Sequence, residues 1–444
     1  MKLPFLRRLP LLRLAGAGLA LLLASEAQAL PSYARQTGED CGACHVGGYG
    51  PQLTPHGQRF KIGGYTDGDK SSVPLSAMLV GTFTHIKQDL AEPPARHYDT
   101  NDNFAFEEGS VFLAGRLADH IGSFTQATYS GIDRSWAWDN LDIRYAQELN
   151  AFDKDLTLGL SLNNNPGIQD PWNTLPSWGF PYVGSGLAPE SPAAPLLAGG
   201  LETQVLGLNA YAFFDQRWYA ELGAYQSLDR RTLHRLGVPR ADAVDSSGLS
   251  PYARLTYSRD LHSQAYSVGL VALHSNIRPE PGAQQDSYTD VGIDGSYQFL
   301  GNRRNIFTVN GLALAEKQNL GGTFGLEGAS HKDQTLHSYN VNVSYYRDQT
   351  YGATVGFFDV DGSHDTLLYG DNLAGRPNTR GEVFQLDYTP FGKENSWLAP
   401  NVNLRLGLQY TLYNRYAGRV NNYDGTDRSA SDNNTLMVFL WLSM

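Results

Sequence analysis

Two cysteines and a histidine near the start of the chain have types and spacing that predict chemistry. Cys41, Cys44 and His45 form the pattern C-x-x-C-H. In this pattern the two thiols add to the vinyl groups of a haem, and the adjacent imidazole ligates its iron as the proximal ligand. The chain contains 2 cysteines in all, so the pattern predicts one covalently bound haem c with no thiol left over. A redox disulfide of the thioredoxin type is the alternative, but it needs a βαβ context that the following sequence does not offer.

Residues 1–29 predict a signal peptide. Arginines at the start of the chain precede the apolar run 14–24, and Ala27-Gln28-Ala29 follows it. A basic start, a short apolar run and a small-residue cleavage site are typical of secretion. We therefore predict export, cleavage after Ala29, and a mature chain that begins in the periplasm of a Gram-negative bacterium.

Composition favours strands over membrane helices. The mean hydropathy is -0.36, and the chain has 25 Tyr, 19 Phe and 47 Gly. After residue 30 we find no apolar run of the roughly 20 residues that a transmembrane helix needs. The formal net charge of -11 argues against a nucleic acid partner.

Alternating apolar and polar residues predict sixteen antiparallel strands. In residues 404–409, for example, leucines alternate with Arg405, Gly407 and Gln409. Each strand is near the length of about 9–11 residues that a tilted membrane strand requires. The predicted strands are 75–87, 105–118, 121–131, 138–149, 154–163, 202–214, 217–227, 250–259, 263–274, 288–299, 303–316, 334–347, 350–360, 381–390, 401–414 and 433–444.

The predicted connections alternate in length. Short turns follow the even-numbered strands up to strand 12, and long loops follow strands 3, 5, 7, 9, 11, 13 and 15. The gap 391–400, after strand 14, is the one long turn at the short-turn end. Short periplasmic turns and long outer loops are typical of outer-membrane barrels. We therefore predict an all-β fold, a 16-stranded transmembrane barrel over residues 73–444 in contact with outer-membrane lipid.

The segment 30–72 precedes the first strand and carries the cysteines. It is rich in glycine and shows no convincing amphipathic helix, so it cannot build a free-standing cytochrome core. The barrel must supply the cover for the haem. We predict that residues 30–72 form a monohaem cytochrome c segment that enters the lumen from the periplasmic side as a plug.

The distal iron ligand has two candidates. Met78 lies on the first strand in phase with polar residues, which places it on the lumen side. A thioether ligand there would raise the haem potential. His56, within the plug, is the rival. The alternatives to iron ligation are that Met78 only fills space in the lumen and that His56 is a solvated turn residue.

Arg35 and Arg59 are predicted partners of the haem propionates, together with Gln36 and Lys61. Guanidinium groups bind carboxylates well because their donors match the two oxygens. Salt bridges that anchor the plug are the alternative function for these side chains.

Four short stretches carry a resemblance to a known family: 33–38, 41–45, 53–57 and 60–65. They resemble the fused monohaem cytochrome-porins of the bacterial outer membrane, a family that includes the outer-membrane Fe(II) oxidases of iron-oxidising bacteria. The resemblance implies that electrons pass from an extracellular donor, Fe(II), through the haem to a periplasmic c-type cytochrome or similar carrier. The activity would then be that of an Fe(II):cytochrome c oxidoreductase acting by outer-sphere transfer.

Two other functions remain open from the sequence. The same motif suits electron exchange with an external partner other than iron. A diffusion porin with a structural haem is the third hypothesis, and it requires an open lumen. A glycine-rich haem segment inside the barrel would obstruct such a pore.

Overall fold

The computed structural model describes residues 31–69, 74–239, 243–393, 396–399 and 401–444. The predicted signal peptide and the predicted boundary between residues 72 and 73 lie outside these residues. The described residues contain sixteen strands, all in one sheet. They are β1 Leu75–Ile86, β2 Asn103–Ala118, β3 Ile121–Ser130, β4 Ser135–Ala151, β5 Lys154–Asn163, β6 Val205–Phe214, β7 Trp218–Ser227, β8 Ser250–Asp260, β9 Gln264–Ile277, β10 Asp286–Phe299, β11 Asn305–Asn319, β12 Asp333–Arg347, β13 Tyr351–Gly362, β14 Thr379–Tyr388, β15 Asn403–Arg415 and β16 Thr435–Ser443.

The sheet closes into a barrel. Each strand pairs antiparallel with its neighbours in sequence, and β1 pairs with β16 from Met78↔Ser443 to Ile86↔Thr435. Closure leaves no strand edge unpaired, which is what a sheet needs in order to sit in hydrocarbon. The predicted number of strands and their antiparallel order are confirmed.

The alternation of side chains sorts each strand into an outer and an inner face. In β6, Leu208 is 59% exposed and points outward, whereas the next residue, Asn209, is fully buried. In β15, Leu408 and Gln409 divide in the same way. The period of two residues therefore places apolar side chains outside and polar ones inside.

The outer surface is apolar in the middle and aromatic at both ends. Near the short turns the exposed aromatic side chains are Tyr145, Phe152, Trp218, Phe299, Phe307, Tyr345, Tyr351 and Tyr388. Phe104, Phe106 and Trp136 lie near the long loops. An apolar band between two aromatic girdles is the surface of a barrel that crosses a bilayer.

One predicted connection is wrong. The loop after strand 3 was expected to be long, but only residues 131–134 join β3 to β4. The reason is that β4 begins at Ser135, where Trp136 already pairs with Tyr129. The connection between β14 and β15, residues 389–402, is long as predicted.

Short helices, which the sequence analysis did not predict, occupy the segment before β1. They are α1 Pro31–Thr37, α2 Cys41–Cys44 and α3 Pro55–Ile62, and two more, α4 Arg230–Arg235 and α5 Gly321–Gly325, lie in long loops. Local signals explain α3: the Thr54 side chain accepts a hydrogen bond from Gly57 N, and Pro55 occupies the first turn. None of the helices in the described residues is long and apolar enough to cross a membrane.

Candidate functional site

Residues 31–69, here called the lumen segment, lie against the inner face of the barrel. Three wall side chains donate hydrogen bonds to its backbone carbonyls: Asn403 to Gly48 O at 2.8 Å, Gln298 to Leu53 O at 2.8 Å and Tyr211 to Ile62 O at 2.6 Å. These donors come from β15, β10 and β6, which are far apart around the wall. The segment therefore spans the lumen.

The cysteine motif sits at the short-turn end of the barrel. Gly42 N donates to Gly392 O at 2.9 Å, and the Arg303 guanidinium donates to Gly42 O at 3.0 Å. Both partners lie in connections of the short-turn end. Gly47, with φ 75°, turns the backbone here, and a Cβ on it would lie 2.4 Å from the Tyr346 ring. Only glycine fits such a close approach.

The two cysteines and His45 line one cavity, here called the cysteine cavity, with a volume of about 340 Å³. This volume is within the roughly 300–1,000 Å³ range of small-molecule and cofactor sites, which are mostly apolar with a few polar groups. Aromatic side chains from the wall and loops complete it. Its lining includes Tyr49, Lys61, Met78, Trp178, Tyr182 and Trp441.

The surroundings shift the pKa of both cysteine thiols upward. Burial raises the pKa of Cys41 to about 11. Burial, and to a smaller extent the charge of Glu39, raises the pKa of Cys44 to about 12. A redox-active C-x-x-C pair works through a thiolate of lowered pKa, so the surroundings of these thiols do not suit thioredoxin-type chemistry.

His45 is partly buried, and its imidazole is neutral. Burial lowers its pKa to about 4, and the positive charge of Arg405 acts in the same direction. Its Nδ1 is buried and has no hydrogen-bond partner among the described residues. The bond from Val46 N to Gln52 O, at 2.9 Å, holds the Gln52 backbone close to the ring. A neutral imidazole with a free lone pair is what a metal ligand requires.

Of the two candidates for the distal ligand, Met78 reaches the cysteine cavity. Its neighbours in phase on β1, Ser76 and Val80, are buried on the inner face, which agrees with the predicted lumen side. His56 is not among the lining residues, and its Nε2 lies 2.6 Å from the Glu39 carboxylate. Of the two candidates, only Met78 lines the cysteine cavity.

Glu39, Cys44 and His56 form a cluster whose ligand atoms all lie within 4.8 Å of one another. Such a set resembles a transition-metal site of mixed ligands. However, one of its three members is Cys44, a cysteine of the predicted haem-attachment motif. A thioether at Cys44 would leave only the carboxylate and the imidazole, which already bind each other.

The predicted propionate partners Arg35 and Arg59 are not brought to the cysteine cavity. Arg35 donates to Leu75 O at 3.1 Å, and Arg59 forms an ion pair of 2.8 Å with Asp260 at the end of β8. The ion pair of Arg59 with the barrel wall agrees with the alternative function, a salt bridge that anchors the plug. Lys61, from the same set, does line the cavity.

Lys61 is a buried cation beside the cavity. Its Nζ donates to Ile168 O at 2.6 Å and to Asn173 Oδ1 at 2.8 Å. Burial, and to a smaller extent the nearby Arg144 charge, lowers the Lys61 pKa to about 7. No local pattern indicated the partners of Lys61, because its two acceptors lie more than a hundred residues away along the chain.

Residues 164–204, between β5 and β6, fold into the lumen and are here called the inner loop. Asp170 pairs with the buried Arg254 at 3.1 Å, and Arg254 also pairs with Asp294 at 2.9 Å. Farther along, Phe180 O accepts from Asn340 of β12 at 2.8 Å. Ion pairs and hydrogen bonds to the wall thus hold this loop across the lumen, next to the lumen segment.

No family profile matches the chain. No curated protein matches it at a significant level. Among solved structures it is similar to a loop L8 deletion mutant of OmpT from Vibrio cholerae (8% identity, 85% of this chain and 100% of that chain, TM-score 0.46). It is also similar to an anion-selective porin from Comamonas acidovorans (12%, 84% and 98%, 0.46) and to the outer membrane channel DcaP of Acinetobacter baumannii (12%, 85% and 99%, 0.46). The barrel assignment itself rests on the strand pairing described above.

Proposed function

We propose that this chain is an outer-membrane electron conduit with one haem c in its lumen. Electrons would pass from an extracellular donor, Fe(II), to a periplasmic c-type cytochrome or similar carrier. One observation carries the proposal: Cys41, Cys44 and His45 line a single mostly apolar cavity inside a closed barrel. The donor is chosen from the resemblance to the cytochrome-porins.

The side chains of the cysteine cavity suit each part of that function. The thiols of Cys41 and Cys44 would hold the haem covalently, and the neutral imidazole of His45 would ligate the iron. Met78 lines the same cavity and is the candidate distal ligand. When bound, the haem supplies reversible one-electron chemistry at a potential that the protein sets.

The protein sets that potential through burial and charge. The cavity is lined by Trp178, Trp441 and other aromatic rings, which keep its polarity low. Lys61 lines it, and Arg405 lies close enough to affect His45. Positive charge near the haem disfavours the ferric state because that state carries the extra positive charge. Lys61 and the apolar lining therefore raise the potential, whereas the carboxyl groups of Glu39, Asp40, Glu108 and Asp139, which also line the cavity, lower it where they are ionised.

The filled lumen favours conduction of electrons over diffusion of solutes. The lumen segment and the inner loop both cross the barrel interior, and Arg144 donates to Lys61 O and Gln169 O, one carbonyl from each. A diffusion porin needs a water-filled passage. The expected result in a planar bilayer is therefore little ion conductance, and large open-channel steps would favour the porin function instead.

Haem attachment is the first thing to test. The chain is expressed with a cytochrome c maturation system, purified from membranes and measured by mass spectrometry and by its reduced absorbance spectrum. We expect one haem per chain and loss of covalent haem in Cys41→Ser and Cys44→Ser. His56→Ala is the matched control and should keep it. A haem-free wild-type chain would contradict the proposal.

The donor is tested on the oxidised holoprotein. It is mixed with Fe(II) under anoxic conditions, and the haem absorbance is followed in time. Rapid appearance of the reduced spectrum is the expected result. If dithionite reduces the haem and Fe(II) does not, Fe(II) is not the donor, and an external partner other than iron takes its place.

A further inference from the structure

Three tyrosines connect an outer loop to the top of the barrel wall. Tyr423 and Tyr416 belong to the loop between β15 and β16, and their ring centroids are 4.8 Å apart. Tyr416 lies 5.4 Å from Tyr413 on β15, and Tyr413 lies 5.7 Å from Phe358 on β13. These separations are typical of aromatic rings in direct contact. A chain of contacts therefore leads from the outer surface to the inner wall.

The inner loop continues this chain of rings into the lumen. A Cβ on Gly356 would lie 2.6 Å from the Phe180 ring, so Phe180 covers Gly356. Gly356 and Phe358 are neighbours on the same face of β13, and their Cα atoms are about 7 Å apart. Phe180, Phe358 and Tyr413 also line one cavity of about 230 Å³. Phe180 in turn lies 5.4 Å from Tyr182.

The last ring reaches the cysteine cavity. Tyr182 lines that cavity together with His45. Its hydroxyl donates to the Gln52 side chain at 3.3 Å, and the Gln52 backbone lies beside the His45 ring. The six rings, here called the aromatic row, are Tyr423, Tyr416, Tyr413, Phe358, Phe180 and Tyr182.

We propose that the aromatic row is the path by which electrons cross the barrel from the outer loop 416–434 to the cysteine cavity, an inference that rests on the proposed function. The apolar band of such a barrel is about 25 Å tall, and electron transfer slows steeply as the gaps along its path lengthen. Rings in direct contact keep four of the five steps short, and the step from Phe358 to Phe180 spans the spacing of one same-face neighbour on β13. Each event removes one electron from the donor, as in Fe(II) to Fe(III), and reduces the haem iron from ferric to ferrous. No proton moves, and the rings end unchanged.

Hydrogen bonds fix the outer rings in place. The Tyr413 hydroxyl donates to Pro189 O at 2.5 Å, and the Tyr416 hydroxyl donates to Glu190 O at 2.6 Å. Both acceptors belong to the inner loop, which also carries Phe180 and so joins the two halves of the row. A fixed geometry is what a path made of short gaps requires.

The test injects electrons at the outer end of the row. A photoactive ruthenium–bipyridine label is attached to Thr426→Cys, an exposed position near Tyr423. Because Cys41 and Cys44 are used by haem in the holoprotein, this is the only free thiol. A flash in the presence of p-methoxy-N,N-dimethylaniline, which quenches the excited label reductively but does not reduce the haem in the dark, delivers one electron, and the haem absorbance gives the transfer rate. Leu326→Cys, in another outer loop, carries the control label.

Removal of one ring should slow transfer. We expect Tyr416→Leu to lower the rate from residue 426 by at least an order of magnitude and Tyr416→Phe, which keeps the ring, to restore it. Tyr351→Leu, which removes a lipid-facing ring, should have no effect. An unchanged rate in Tyr416→Leu would overturn the proposal, as would equal slowing from the label at residue 326. The absorbance spectrum, recorded before the flash experiment, shows whether covalent haem is present. Its absence would overturn the proposed function as well.

A second measurement does not depend on haem reduction. In the labelled ferric protein, hexaammineruthenium(III) accepts an electron from the excited label, and the oxidised label then takes one electron from a tyrosine, whose proton passes to water. We expect a transient tyrosyl signal by electron paramagnetic resonance. It should disappear in the Tyr416→Phe, Tyr423→Phe double variant. Persistence of the same signal in that variant would overturn the assignment of the outer rings.

Discussion

The lumen segment and the inner loop fill the same barrel, but different forces hold them. The lumen segment is bound mostly through its backbone carbonyls. They accept hydrogen bonds from the neutral side chains of Asn403, Gln298 and Tyr211 and from the guanidinium groups of Arg303 and Arg144. The inner loop is bound through Asp170, whose carboxylate meets the buried Arg254. Neutral hydrogen bonds contribute about 0.5–1.5 kcal/mol each, whereas breaking a buried ion pair costs about 3–5 kcal/mol.

This difference has a consequence for function. Because the wall binds the backbone of the lumen segment, the side chains of Cys44, His45 and Lys61 can face the cysteine cavity. The inner loop uses its own polar side chains as anchors, and it contributes mainly rings such as Trp178 and Tyr182 to the cavity. One element thus carries the chemistry, and the other provides a rigid cover for it.

The largest effect is expected from the anchor of the inner loop. Arg254→Met leaves the buried carboxylates of Asp170 and Asp294 without a counter-charge and should lower the free energy of unfolding by about 3–5 kcal/mol. Urea titration of the barrel in lipid vesicles measures this change. Arg304→Gln, which removes a largely exposed pair with Asp348, is the matched control and should cost about 1 kcal/mol or less. Equal effects of the two variants would contradict the comparison.

Met78→Ala tests which side chain completes the site. Loss of a thioether ligand should change the low-spin spectrum of the holoprotein and lower its midpoint potential on the order of 0.1 V, since axial ligands set haem potentials over a wide range. Spectropotentiometry measures both. His56→Ala, which removes the imidazole bound to Glu39, should leave them unchanged. The reverse pattern would show that the lumen segment supplies both axial ligands.

Lys61 should make the haem potential depend on pH. Its pKa is lowered to about 7 by burial, so the ammonium group loses its charge as the pH rises through that value. A positive charge disfavours the ferric state, and the midpoint potential should therefore fall, by tens of millivolts, between about pH 6 and pH 8. Lys61→Met should flatten this dependence. If the midpoint potential of Lys61→Met still falls over this pH range, another titrating group causes the dependence.

The smallest effect is expected at Arg59. Its ion pair with Asp260 is largely exposed, at 43% and 32% of the two side chains. Arg59→Gln should therefore cost about 1 kcal/mol or less and leave the haem spectrum unaltered. A marked spectral change would restore Arg59 as a propionate partner and would show that the bound haem rearranges the lumen segment.

Local patterns in the sequence were enough to predict the barrel. Alternation with a period of two residues, as at Leu208 and Asn209, assigns each side chain to one face. Turn residues between the strands set their number and order. The helices before β1 were not predicted because α2 and α3 are too short to show a long apolar stripe, and only α3 has a side-chain cap, from Thr54. The long loop expected after strand 3 was wrong because β4 begins early, at Ser135.

The sequence by itself determined the strands, their order and the C-x-x-C-H motif, because each depends on residues that are close together in the chain. Tertiary structure alone decided which distant side chains meet that motif. Met78, Lys61 and Tyr182 reach the cysteine cavity, whereas Arg59 pairs with Asp260 elsewhere. The position of a side chain in the lumen depends on contacts between residues hundreds of positions apart, which no local pattern records.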